Sequence, residues 1–106
     1  MMRGYLGIDT SNYTTSCAVC RAGKITQQKR LLPVPPGQVG LRQSDAVFSH
    51  VKALGELMET LRREDSGPIT AIGVSERPRD VEGSYMPCFL VGYSHAVMLA
   101  QCLNVP

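Results

Sequence analysis

The stretch 32–43 carries Pro33, Pro35, Pro36, Gly37 and Gly40. Proline has no amide hydrogen to donate and a fixed φ, so the stretch holds neither a sheet ladder nor a helix and must be a loop. It divides the sequence into two parts of different character. Before it, Gly4 to Asp9 is a short apolar strand ending in a carboxylate, and Thr10 to Tyr13 supply turn-forming side chains. Thr14 to Cys20 then resumes β-branched and small apolar residues, so the two runs predict a hairpin. Ala22-Gly23-Lys24 is a second tight turn, and Ile25 to Arg30 is a third strand whose polar residues suit an edge.

After the loop the period changes. Ser44 is an expected N-cap, with Asp45 in the first turn, for a helix reaching about Arg63. Val47, Val51, Leu54, Met58 and Leu61 fall within about 80° of one another at about 100° per residue, which predicts the face that packs on the sheet. Ser66-Gly67-Pro68 ends this unit. Ile69 to Ser75 is a fourth strand, apolar on both faces and therefore expected in the sheet interior. A charged loop, Glu76 to Ser84, leads to a nearly all-apolar helix from Met86 to about residue 104, with Pro87 in its first turn and Ser94, His95 and Gln101 as its few polar members. A helix apolar nearly all round is buried in an assembly larger than itself, and His95 is accordingly expected in the core or at an interface. The order strand, strand, strand, helix, strand, helix predicts an α/β, ribonuclease-H-like half-domain with a mixed sheet and helices packed on it. One further strand is expected after Asn104-Val105-Pro106.

Composition removes several functions. The 106 residues are 43% hydrophobic and 19% charged, with a net charge of +2, which fits one core and no disordered tail. A +2 balance is also too small for a broad surface neutralising duplex phosphates, so any nucleic-acid contact is local. No run reaches the roughly 18 apolar residues of a membrane span and the start lacks a secretion signal, so the expected setting is cytoplasmic with no membrane contact. Cys17 and Cys20 are spaced C-x-x-C, but within a strand residues three apart point to opposite faces. Cys88 and Cys102 are separated by about 21 Å of helical rise. Neither pair suits a disulfide or a metal, and no nucleophile–base pair for a peptidase is visible.

Leu6-Gly7-Ile8-Asp9-Thr10-Ser11 carries most of the chemistry. A carboxylate at the end of a buried strand, followed by a turn of hydroxyl side chains, makes a cradle for phosphate oxygens in which the Asp can orient a metal-bound water. Local chemistry equally allows an ordinary hairpin in which Asp9 bonds to its own turn. The run to Thr15 resembles the first phosphate loop of the ASKHA superfamily, the group of actin, sugar kinases and heat-shock chaperones. More narrowly it is similar to the opening of the tRNA threonylcarbamoyltransferases (TsaD), once described as O-sialoglycoprotein endopeptidases or glycoproteases. Ala46 and His50-Val51 match that family's first long helix, and Pro78, Leu90-Val91-Gly92, Ala96, Ala100, Leu103 and Val105-Pro106 match its following strand, loop and helix.

The resemblance implies a single incomplete N-terminal ASKHA subdomain over 1–106. Its adenylate or phosphate loop would be Asp9, Thr10, Ser11 and Asn12, and Arg77 and Arg79 would be candidate phosphate or RNA contacts. A solvated charged loop is the other reading of those two arginines. It also implies transfer of a threonylcarbamoyl group from its adenylate to tRNA, use of ATP and of a divalent iron or zinc, and a homologous subunit docked on the helices 44–63 and 86–104. The sequence departs from the family where an acidic pair is replaced by Asn12-Tyr13 and a Gly-Pro-Gly loop by Arg77-Pro78-Arg79. The family's His-x-x-x-His metal motif has no counterpart here, His50 and His95 being the two histidines. No catalytic residue and no metal ligand is therefore assigned, and the chain alone is expected to be inactive. The alternatives are a non-catalytic paralogue acting as a dimerisation module, and a piece of an ASKHA sugar or acid kinase.

Overall fold

The computed structural model describes residues 2–11, 13–33, 43–77 and 87–106. Its elements are β1 (Gly4–Asp9), β2 (Thr14–Arg21), β3 (Lys24–Leu31), α1 (Gln43–Glu64), β4 (Ala71–Val74) and α2 (Pro87–Leu103). The sheet order is β3-β2-β1-β4. β1 pairs antiparallel with β2 from Gly4↔Arg21 to Asp9↔Ser16, and β2 with β3 from Thr14↔Leu31 to Arg21↔Lys24. The β2–β3 turn places Ala22 and Gly23 at φ 54° and 76°, the left-handed pair that matches the twist of a two-residue hairpin. β4 lies parallel to β1, Tyr5 opposite Ala71 and Ile8 opposite Val74. This is the α/β arrangement with a mixed sheet expected from the sequence.

Period-two alternation on β1 and β2 sends Leu6, Ile8, Cys17 and Val19 to one face, where both helices cover them. α1 contributes Ala53, Leu54, Leu57 and Leu61, and α2 contributes Val91 and Ala96. The buried face of α1 is rotated from the expected stripe. Val51 is 51% exposed, whereas Ala46, His50, Ala53 and Leu57 are buried. The stripe of large apolar residues leaves out the small Ala46 and Ala53 and the His: Ala46 packs with Leu32 and Cys88, Ala53 joins the main core, and His50 bonds to Thr15 of β2. Ser44 is the helix's second residue rather than a flanking cap.

β4 pairs with β1 on one side and is the last strand of the described sheet. Ile72 and Val74 pack against the core, while Ala71 and Gly73 on the opposite face are small rather than buried, so the strand is apolar on one side only. Its outer side is met by the chain end. Asn104, at φ 56°, closes α2 with bonds from its N–H to Gln101 and from Val105 N–H to the Ala100 carbonyl, a Schellman motif. The Pro106 carbonyl then accepts from Ile72 N–H at 2.8 Å.

A charged clip holds the opposite end of the sheet. Arg21 Nε and Nη2 bond to Asp65 at 3.0–3.1 Å and Nη1 donates to the Met2 carbonyl. A Cβ on Gly67 would stand 2.6 Å from the Arg21 guanidinium carbon, so a larger residue there would make the Arg21 side chain shift.

Candidate functional site

β1 and β4 run parallel, so their carboxyl ends come together, the place where open α/β sheets bind ligands. Asp9 ends β1, and one residue beyond β4 Ser75 donates its hydroxyl to Asp9 Oδ1 at 2.7 Å. The Ser11 N–H donates to the same oxygen at 2.9 Å. Burial pushes the Asp9 carboxyl up, but bonds from Ser11 and Ser75, with a smaller pull from His50, outweigh it and leave the group below its ordinary value. Asp9 is therefore an anion at neutral pH. It repels a phosphate directly and acts by orienting hydroxyl donors or by facing a cation.

A cleft of about 370 Å³ opens beside Asp9 on the helix-free face of the sheet. Gly7 and Gly73 are register partners in its floor, and a Cβ on either would meet nothing within 4 Å. Its polar wall adds Ser16, which accepts from Gln27 Nε2 at 3.1 Å. Ser16, Gln27 and Ser75 were not singled out by the sequence reading. Ser75 was within reach of it, because a parallel strand beside β1 must end next to Asp9.

Thr10 sits differently from Ser11. It is fully buried, donating to the Cys88 carbonyl at 2.7 Å and accepting from Gly92 N–H at 2.9 Å. Cys88 and Gly92 are four apart, so the hydroxyl bridges two groups that a helix pairs with each other. A Cβ on Gly92 would lie 2.9 Å from that hydroxyl and 3.2 Å from Ile8, so the glycine lets α2 touch the end of β1. Asn12 and Arg79 lie outside the described residues. Arg77 follows Ser75 by two positions, with Nη2 3.7 Å from Glu76 Oε1.

Among the described residues no three His, Cys, Asp or Glu side chains converge as a metal-binding group. Thr15 Oγ1 and His50 Nδ1 share a 2.8 Å hydrogen bond, but both residues are fully buried, so the pair meets no substrate. Cys17 faces the core and its thiol is pushed up by burial to about 11, while Cys20 pairs with Tyr5 on the opposite face. All four cysteines are free.

A second surface is apolar. Leu90, Tyr93, Val97 and Met98 are 52%, 39%, 42% and 61% exposed. They fall within about 140° on the outer face of α2. His95, expected in the core or at an interface, is not in the core: it is solvent-exposed on α2, with Nδ1 2.7 Å from the Val91 carbonyl. No helix among the described residues is long and apolar enough to cross a membrane.

No protein-family model and no curated protein matches the chain. Solved structures do, among them YeaZ from Pseudomonas aeruginosa and a protein described as uncharacterized, with similarity to peptidase YEAZ from the same organism. Each is 18% identical with a TM-score of 0.72, and the match covers 99% of this chain. The chain spans 41% of the length of either. At this identity the likeness shows the fold alone, the α/β arrangement with a mixed sheet shared with YeaZ.

Proposed function

We propose that the chain is an N-terminal ASKHA module related to the tRNA threonylcarbamoyltransferases and serves as a non-catalytic partner of a homologous subunit. The observation that carries this reading is the outer face of α2. Leu90, Val97 and Met98 are all more than 40% exposed on a single helix face, a concentration that marks an interaction surface rather than scattered surface residues. The Asn12-Tyr13 replacement and the inward commitment of the Thr10 hydroxyl weaken the phosphate loop and point the same way. In this reading the divalent metal lies with the partner, the complex works in the cytoplasm, and tRNA meets the assembly rather than this chain alone.

The test is light scattering on the chain alone and mixed with a catalytic transferase subunit. A one-to-one complex is expected, and Val97→Asp or Met98→Asp is expected to weaken it by about tenfold or more with an unchanged circular dichroism spectrum. Formation of threonylcarbamoyladenosine by the chain alone would overturn the reading.

A second reading rests on the Asp9–Ser75 cleft, whose hydroxyl and amide donors and open glycine floor suit the phosphate of an adenylate. The Ser75 hydroxyl and the Ser11 N–H, both donated to Asp9 Oδ1 in the free chain, would turn from that carboxylate to the phosphate, with Arg77 near the rim. Ser75→Ala is then expected to weaken AMP binding by roughly two- to tenfold, the worth of one hydrogen bond. Equal AMP binding by both proteins would remove the cleft from the assignment.

A further inference from the structure

On the helix-covered face, away from the Asp9 cleft, a cavity of about 420 Å³ opens where the ends of α1 and α2 meet the approach to β4. That volume falls in the range of small-molecule sites. Leu6, Met58, Ile69, Leu99 and Leu103 give it an apolar wall. Its charged member is Arg62. Nη2 of Arg62 donates to the Gly67 carbonyl at 2.7 Å, but Nη1 is buried and has no hydrogen-bond partner among the described residues. The nearest carboxylate oxygen, Asp65 Oδ1, is 4.0 Å from Nη1, within ion-pair reach but beyond a hydrogen bond.

That carboxylate is already engaged. Asp65 Oδ1 accepts from Arg21 Nε and Nη2 and from Gly67 N–H. Two guanidiniums thus share one carboxylate, leaving one positive charge in excess and one donor unsatisfied beside an apolar wall. A buried donor without an acceptor is costly, and a carboxylate relieves both the missing bond and the missing charge.

We propose that this cavity binds a small aliphatic monocarboxylate, its tail among Leu6, Met58 and Leu99 and its carboxylate on Arg62 Nη1. A turn of the guanidinium about the Cδ–Nε bond, which carries Nη2 with it and loosens its bond to the Gly67 carbonyl, would bring Nη1 to the entering anion. The half-exposed Leu103 forms the entrance.

The test is an NMR titration of the full chain with butanoate, hexanoate and octanoate, with octanol as the uncharged control. Saturable shifts are expected at the Leu6 and Leu99 methyl groups. Affinity should rise by roughly three- to fourfold per added methylene, and octanoate should bind at least about tenfold more tightly than octanol. Because Arg62 also secures Gly67, three variants are compared. Arg62→Met should abolish the preference for acid over alcohol, Arg62→Lys should keep it, and Leu103→Trp should weaken acid and alcohol together. Equal binding of octanol and octanoate, absence of shifts at Leu6 and Leu99, or tighter binding of an acetylated Leu-Val dipeptide than of octanoate would overturn the proposal.

Discussion

Two carboxylates with different surroundings do different work in this chain. The Arg21 hydrogen bonds hold the Asp65 carboxyl below its ordinary value against a smaller opposing effect of burial, with the Gly67 N–H adding to the lowering. The folded state therefore binds the Asp65 proton less readily than the unfolded chain. The stabilisation is complete above about pH 4, the ordinary carboxyl range, and disappears as pH falls through the lower folded-state value. Asp65→Asn should lower the melting temperature at pH 7 and flatten its decline as the pH falls below about 4, read from thermal scans of both proteins. Thr10 makes a sharper test, because its role is steric as well as polar. Thr10→Val keeps the volume but leaves the Cys88 carbonyl and Gly92 N–H without their bridge, a loss of about 1–3 kcal/mol in urea unfolding. Gly92→Ala forces a methyl into the same spot and should cost a similar 1–3 kcal/mol, roughly. Since both changes act on one contact, the double variant should lose measurably less than the sum of the two.

At the scale of elements, α1 distinguishes what a hydrophobic pattern conveys from what it omits. Leu57 is 5% exposed and Val51 is 51% exposed, although the sequence stripe included Val51 and left out Leu57. Leu57→Ala should therefore cost about 2–5 kcal/mol, while Val51→Ala should stay within about 0.5 kcal/mol, both measured by denaturant titration. The helix was legible because its apolar residues recur at helical spacing. Its rotation was not, because a count of large apolar residues does not weigh the buried Ala46 and Ala53, or the hydrogen bond of His50 to Thr15 of β2. The strands read well for a similar reason. Alternation fixed which faces of β1 and β2 are buried, and the placement of Cys17 and Cys20 on opposite sides followed from it. β4 misled because Ala71 and Gly73 count as apolar yet bury little. At the candidate site Asp9 and its turn were visible as a local motif, whereas Ser75 is 66 positions away and enters only when β4 pairs with β1. Contacts made by topology leave no mark on neighbouring residues.

Among the described residues one sheet face is covered by helices and two apolar surfaces are not. The helix side is closed by α1 and α2, while Tyr5 and Ile25 remain 46% and 68% exposed on the opposite sheet face and the outer side of α2 carries its own apolar strip. A 106-residue chain has little stability to spare, and burial in an interface adds to it by mass action. The two surfaces differ in what they can recruit. The sheet face around Gly7 and Gly73 is shallow and broken by the polar groups of the Asp9 cleft, whereas Leu90, Val97 and Met98 gather on one side of α2. Association should therefore run through α2 and should couple to folding. At a partner concentration 100 times its dissociation constant the gain is about 2.7 kcal/mol, and the melting temperature should climb steadily with partner concentration in thermal scans. Met98→Asp should remove that climb while leaving the melting temperature of the isolated chain nearly unchanged, because Met98 is 61% exposed and contributes little to its core. A climb that survives Met98→Asp but vanishes in Ile25→Asp would place the interface on the open sheet instead.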